Sequence, residues 1–282
     1  LAIPEYLVFC LCPSSGVGII GNTPNHDKQT KEETVMAQSK KPKGFVFYRG
    51  PSQLDPLREV VGIITFSSSN DKTGDMATVW YLLEAISPVQ AQKNGTDEAI
   101  CGKCPHRKGS CYVLTFQAPL NIWKNYHGGK YPTATVEEVA QYVSLHKLDV
   151  RFGGYGDPAS IPTDYTRIIA ESADTITGYT HQWMHKSFDP ELLNYCMASV
   201  DNEKQTIHVA KMHPTIKPRY YRVKREDAPL LVGEIECPHY TTKIQCRACG
   251  LCDGARREGA SIVVNIHGAK WKQDKFDLIA KA

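Results

Sequence analysis

Seven of the chain's ten cysteines fall in two short clusters, and no other feature constrains the fold as tightly. The first is Cys101-Gly-Lys-Cys104, followed by Cys111. The second is Cys246-Arg-Ala-Cys249-Gly-Leu-Cys252, with Cys237 upstream. A two-residue gap lets a turn aim both thiolates at one metal, so this spacing is a ligand signature. Scattered disulfides or isolated buried thiols would not group in this way. Whatever the fold, it must present two loops that gather three or four sulfurs each.

The rest of the composition sets broad limits. A chain of 282 residues suits one large domain or two small ones. Hydrophobic residues make up 41% and charged residues 22%, which is enough apolar side chain for a core. A net charge of +3 is too small to imply a nucleic-acid partner by itself. No stretch approaches the length of a membrane span, so no membrane partner is expected. Secreted disulfide scaffolds are usually shorter and spread their cysteines more evenly. The expectation is therefore a reducing cytoplasm and metal-bound thiolates.

Three segments are expected. Residues 1–35 have no convincing period and begin at Leu1; Met36 then opens what reads as an ordinary soluble N-terminus. Lys31-Glu32-Glu33 can be encoded by a purine-rich run resembling a ribosome-binding site, so 1–35 is read as a non-native or disordered leader. A signal peptide is not expected, because no basic residue precedes the apolar run from Tyr6 to Cys12. Residues 36–100 form a β-rich segment, with strands at Phe45–Tyr48, Val60–Phe66 and Thr78–Leu83 and mostly loop over 86–100. Residues 101–282 then alternate. Helices are expected over Tyr112–Tyr126, Thr135–His146, Pro162–Ala173, Pro190–Tyr195 and Glu203–Met212. Strands are expected at Val150–Gly154, Thr175–Tyr179, Cys196–Val200, Tyr220–Val223, Gly233–Glu236 and Ser261–Ile266. This pattern predicts an α/β fold, a partial or complete parallel (β/α) barrel with cysteine-rich metal-binding loops.

The strand ends carry the polar residues, and groups following parallel strands converge on one face. Asp157, His181, Asp201, Arg222 and His267 are the candidate catalytic groups. Tyr179, Thr180 and Ser199 on the same strand ends are the candidate cofactor contacts. Competing readings exist: Asp157 and Asp201 could each cap a helix, and His181 and His267 could be structural. Arg107 and Lys108 read either as solvated charge or as an offset to thiolate charge. Cys237, Cys246, Cys249 and Cys252 suit tetrahedral zinc or an iron–sulfur cluster. Cys101, Cys104 and Cys111 supply three local ligands and so leave a position open, unless Cys196 or His106 completes the set. Cys196 reads better as a plain buried thiol.

Several motifs combine here: Cys-Gly-Lys-Cys-Pro-His-Arg with Cys111-Tyr, Gly-Asp157-Pro, Gly-Tyr-Thr-His181-Gln-Trp, Met-Ala-Ser-Val-Asp201, and Cys246-Arg-Ala-Cys-Gly-Leu-Cys-Asp-Gly. From Gly44 to His267 the chain resembles a family of phage-encoded cysteine-cluster proteins whose activity is not established. More distantly it resembles the radical S-adenosylmethionine barrels. That resemblance implies a 4Fe-4S cluster on Cys101, Cys104 and Cys111, and an auxiliary cluster on Cys237, Cys246, Cys249 and Cys252. It departs from their pattern in spacing its first cysteines by two and then six residues rather than three and then two. It also lacks a clear glycine-rich cofactor run. The expected function is an iron–sulfur, radical-SAM-like enzyme of phage or bacterial origin acting on a nucleotide or nucleic acid, with S-adenosylmethionine as a candidate cofactor. The alternative is a zinc-stabilised, non-catalytic protein that binds nucleic acid or another protein. It would use a stripe of Lys217, Arg219, Arg222, Lys224 and Arg225 interleaved with Tyr220 and Tyr221.

Overall fold

Three strands with long apolar runs open the described part of the chain. They are β1 (Gly44–Pro51), β2 (Glu59–Thr65) and β3 (Ala77–Leu83). The structure, a computed structural model, describes residues 41–281 apart from 69 and 108, so the expected leader at 1–35 lies outside the described residues. β2 lies between β1 and β3, antiparallel to both, and all its residues after Glu59 are buried. A strand covered on both faces reads as an unbroken apolar run, and Val-Val-Gly-Ile-Ile has that form.

β3 then pairs in parallel with β4 (Val150–Arg151), and β4 with β5 (Ile176–Thr177). The first sheet has the order β1-β2-β3-β4-β5. It takes strands from both sides of the boundary expected at 100/101, because β3 supplies the edge on which the parallel strands build. The second sheet is parallel throughout. It contains β6 (Tyr179–Thr180), β7 (Met197–Val200), β8 (Tyr220–Lys224), β9 (Glu234–Glu236) and β10 (Ser261–Asn265) in the order β6-β7-β8-β10-β9. β10 thus inserts between β8 and β9, so Cys237 follows an edge strand rather than the next strand of a regular series.

Only Gly178 separates β5 from β6, and there the chain passes from one sheet to the other. Its N–H donates to the Cys252 carbonyl (3.2 Å) and its own carbonyl accepts from the Met197 N–H (2.9 Å). A Cβ at this position would lie 2.6 Å from Cys196 Sγ, so the turn needs glycine. The architecture is a mixed α/β fold with parallel sheet segments. Among the described residues β1 and β9 do not pair, and the complete barrel admitted by the sequence does not form.

Helices cover the first sheet as their periodicity predicts. Val136–Leu145 starts with a capping box made by Thr135 and Glu138 and buries Val136, Val139, Ala140 and Val143. Thr163–Ser172 packs beside it, burying Ile169 and Ala170. Elsewhere the sequence pattern is weaker. The segment expected as loop over 86–100 holds the helix Pro88–Asn94, capped by the Ser87 hydroxyl and closed by Gly95 at φ 84°, and the short helix Glu98–Cys101. Only Pro88 and Ala91 of the first are buried, too few for a visible period. The helix expected from Tyr112 begins at Ala118, where Pro119 suits its first turn. A C-terminal helix, Lys270–Ala280, buries only Phe276 and was not expected. Among the described residues no helix is long and apolar enough to cross a membrane.

Candidate metal and substrate site

A cleft of about 200 Å³ opens where the ends of β4, β6, β7 and β8 meet the first cysteine loop. Cys101, Cys104 and Cys111 all line it, as do Asp157, His181, Asp201, Tyr179, Ser199 and His267. Most of the expected set therefore converges. The cysteine loop is pinned at several points. Gln182 Nε2 donates to the Cys101 carbonyl (2.7 Å), and its Oε1 accepts from the Lys103 N–H (3.3 Å). Lys272 Nζ donates to the Cys111 carbonyl (2.6 Å). Gly102, at φ 50°, lets the chain pass so close to Gln182 that a Cβ would overlap its amide oxygen. Arg107 is neither solvated nor turned to the thiolates. Its guanidinium donates to Asp97 (2.7 Å) and to the carbonyls of Gly95 and Gly102, and so ties the loop to the preceding helix.

His106, His181 and Asp201 form the polar wall of the cleft. Both imidazole Nε2 atoms reach one Asp201 oxygen, at 2.8 Å from His106 and 3.3 Å from His181. His106 also meets Ser110 Oγ through Nδ1 and lies flat against the Phe276 ring. Asp201 is only 6% exposed. Burial opposes its charge, yet the two histidines hold it well below the usual carboxylate range. Burial likewise opposes a charged His181, but Cys104 and Asp201 beside it keep its pKa well above that of an ordinary histidine. Asp201 is not a helix cap: Asn202 accepts the Gln205 N–H and caps Glu203–Met212 instead. The ligating atoms of His106, His181 and Asp201 lie within 4.8 Å of one another, so this trio could also share one divalent ion.

Asp157 has a different part. One oxygen accepts from the Ala159 N–H (3.0 Å) and the Thr180 hydroxyl (2.8 Å), the other from the His181 N–H (2.8 Å). Its capping role is real, and the same carboxylate braces the turn that aims His181. Thr180 belongs to that brace and does not line the cleft. Arg222 is a correction to the expected set. It is buried against Glu234, Nε to Oε1 at 2.6 Å, in a two-point ion pair between β8 and β9, and does not line the cleft. Alternation along β8 turns it away from the face that carries Tyr221 and Val223. The basic stripe fails for the same reason: Arg219 pairs with buried Asp253, and Lys224, itself buried, pairs with Glu236.

Cys237, Cys246, Cys249 and Cys252 line a second, much smaller cavity of about 20 Å³. Tyr179 and Tyr221 line both cavities, with ring centroids 4.5 Å apart, so one aromatic pair divides the two cysteine sites. Burial, reinforced by neighbouring thiols, pushes Cys101 up, and it lifts Cys252 to about 12. Among the described residues all eight cysteines are free of disulfides, and Cys196 is a buried thiol in the sheet. No three cysteine sulfurs come within 4.8 Å of one another. Tetrahedral zinc would draw them to roughly 3.8 Å, given its bond length to sulfur. Among the described residues the sulfurs are therefore not gathered around a single ion. The four cysteines of the second site suit tetrahedral zinc or an iron–sulfur cluster, while the three of the first stand beside His106, His181 and Asp201.

Several cleft residues lie outside the expected site set. The Tyr155 hydroxyl is buried in the wall with no hydrogen-bond partner among the described residues. Arg151 lines the cleft without an acidic partner among the described residues. Lys272 and Phe276 arrive from the unexpected C-terminal helix, and His106, expected only as a fourth ligand beside the first three cysteines, instead pairs with Asp201. The signal for His106 was present in the cysteine loop itself, where it precedes Ser110 by four residues. The chain matches no protein-family model, no curated protein and no solved structure.

Proposed function

We propose that the protein is an iron–sulfur enzyme, similar in plan to the radical S-adenosylmethionine proteins its motifs resemble. It would act on a nucleotide or nucleic acid in a phage or bacterial cytoplasm. In this reading the two sheets joined at Gly178 form a partial parallel (β/α) barrel. One observation carries the proposal: three cysteines on a pinned loop line the same cleft as His181, Asp201 and Arg151, while the other four line a separate, much smaller cavity. Cys101, Cys104 and Cys111 would hold a 4Fe-4S cluster with one iron free of protein ligands. Cys237, Cys246, Cys249 and Cys252 would hold a second, structural or electron-relaying one. Such a cluster supplies single electrons and an open coordination position.

The chain's own residues then have separable tasks. Arg151 offers a fixed cation for a phosphate or carboxylate on the substrate or on S-adenosylmethionine. Tyr179 and Ser199 bound the space beside it. His181 and His106, sharing Asp201, hold protons within reach of the cleft and are oriented by Asp157 and Ser110. The unpaired Tyr155 hydroxyl is available to donate to a ligand or cluster sulfur beside Cys101. Phe276 and Tyr112 exclude water from the rim.

The test is anaerobic purification followed by assays for iron, acid-labile sulfide and zinc beside the visible spectrum. Iron and sulfide in near-equal amounts, with a brown chromophore, support the reading and justify a binding assay with S-adenosylmethionine. Zinc alone in a colourless protein removes it and leaves the zinc-stabilised binder of nucleic acid or protein.

A further inference from the structure

Beside the mouth of the cleft lie exposed aromatic rings with half-buried and exposed lysines between them. Tyr112 is 56% exposed and lies 6.0 Å, centroid to centroid, from the His267 ring. His267 in turn lies 6.4 Å from Tyr240, which is 39% exposed. Lys72 sits over the Tyr240 ring at 4.7 Å. On the other side of Tyr112, Lys272 binds the Cys111 carbonyl, and both Lys272 and Lys275 lie over Trp271, at 5.6 and 5.5 Å. Trp271 is 55% exposed. Lys72, Tyr240, His267, Tyr112, Lys272 and Trp271 thus form a continuous arc that runs past the cleft, from the second cysteine site to the first.

Two features make the arc more than scattered surface apolarity. It alternates flat rings with cations, whereas a protein-docking patch would cluster aliphatic side chains at its centre. Its lysines also have no acidic partner among the described residues. The acids of the C-terminal helix are engaged elsewhere, Asp274 with Lys270 and Asp277 with Arg225. Aromatic faces accept any base by stacking, while interleaved lysines meet the phosphates between them. A duplex keeps its bases stacked inside and cannot use such rings.

We propose that this arc is a binding surface for single-stranded nucleic acid, laid across the cleft so that one unstacked base enters beside Cys101, Cys104 and Cys111. The inference rests on reading the cleft as the reacting site, and it narrows the substrate from a nucleotide to a base within a strand. Free nucleotide would need Arg151 but not Trp271 or Tyr240, which lie outside the cleft wall.

The experiment is fluorescence anisotropy with a labelled single-stranded oligonucleotide, as RNA and as DNA, and with the duplex of the same sequence, over a range of salt. The full chain is used, with its metal content measured on the same sample. Trp271→Ala and Tyr240→Ala should each weaken strand binding roughly tenfold without changing the visible spectrum. Lys275→Ala should make the slope of log affinity against log salt shallower by about 0.7. The duplex should bind more weakly than either strand. Equal affinity for duplex and strand, or strand binding unmoved by Trp271→Ala and Tyr240→Ala in folded protein, would overturn the surface even if iron is present. Strand binding with those losses in a protein without iron would uphold the surface and dismiss the iron–sulfur reading instead.

Discussion

Adjacent residues at the end of β7 divide the labour that the sequence could have assigned to either. Asp201 faces the cleft and holds two histidines, while Asn202 accepts the Gln205 N–H and starts the next helix. Replacing Asn202 by Ala should cost about 1 kcal/mol in denaturant unfolding and leave the metal content unchanged. Asp201→Asn should cost about 1–3 kcal/mol, because a buried carboxylate that satisfied two imidazoles is gone. It should also displace His106 and His181, visible as shifts of their imidazole NMR signals that Asn202→Ala does not produce. The pairing was hidden from the sequence because His106 and Asp201 are 95 positions apart and meet only across the cleft.

At the scale of elements, β8 and β9 are joined by charge across a buried face. Arg222 and Glu234 make a two-point ion pair, and the Leu231 N–H adds a third bond to the same carboxylate. Arg222→Met should destabilise the fold by about 3–5 kcal/mol, since Glu234 is left buried and unpaired. Activity per folded molecule should be retained, which separates Arg222 from the cleft. Burial opposes ionisation of Glu234, but Arg222 outweighs it and the pKa falls below the ordinary glutamate range. A depressed carboxylate stabilises the fold above its unfolded pKa and ceases to do so as pH falls through the folded value. The stability difference between the protein and its Glu234→Gln variant should therefore be full at neutral pH and close below about pH 4. A difference that stays constant on acidification would contradict the ion pair. Gly178 is the other critical element-scale feature. Gly178→Ala should cost about 1–3 kcal/mol through overlap with Cys196, measured as a lower denaturant midpoint.

Across the whole molecule, side chains of Gln182 and Lys272 anchor the first cysteine loop, whereas backbone bonds anchor the second. The second is stitched to several distant segments: Cys246 N–H donates to the Lys72 carbonyl, Arg247 N–H to the Thr73 carbonyl, and the Cys252 carbonyl accepts from Gly178 where the sheets join. Cys237 N–H donates to the Val263 carbonyl of β10. On the iron–sulfur reading, loss of the cluster held there should therefore loosen both sheets together. Cys249→Ser should lower the thermal midpoint by several degrees, whereas Cys104→Ser should lower it less; on the iron–sulfur reading Cys104→Ser should also remove part of the bound iron. Equal midpoints for the two variants would deny the second site a structural part.

Much of this could be read from the chain alone. The strands before residue 100 and the helix Val136–Leu145 follow from apolar patterning and capping, which are local. The ligand spacing within each cysteine cluster is local too. Tertiary structure decided the rest. It placed β10 between β8 and β9, and it turned Arg222 inward to an ion pair. It also brought a C-terminal helix with one buried residue to the rim of the cleft. Each of these depends on contacts between segments far apart in sequence. No residue's neighbours along the chain encode which strand will lie beside its own, or which face of that strand will be buried.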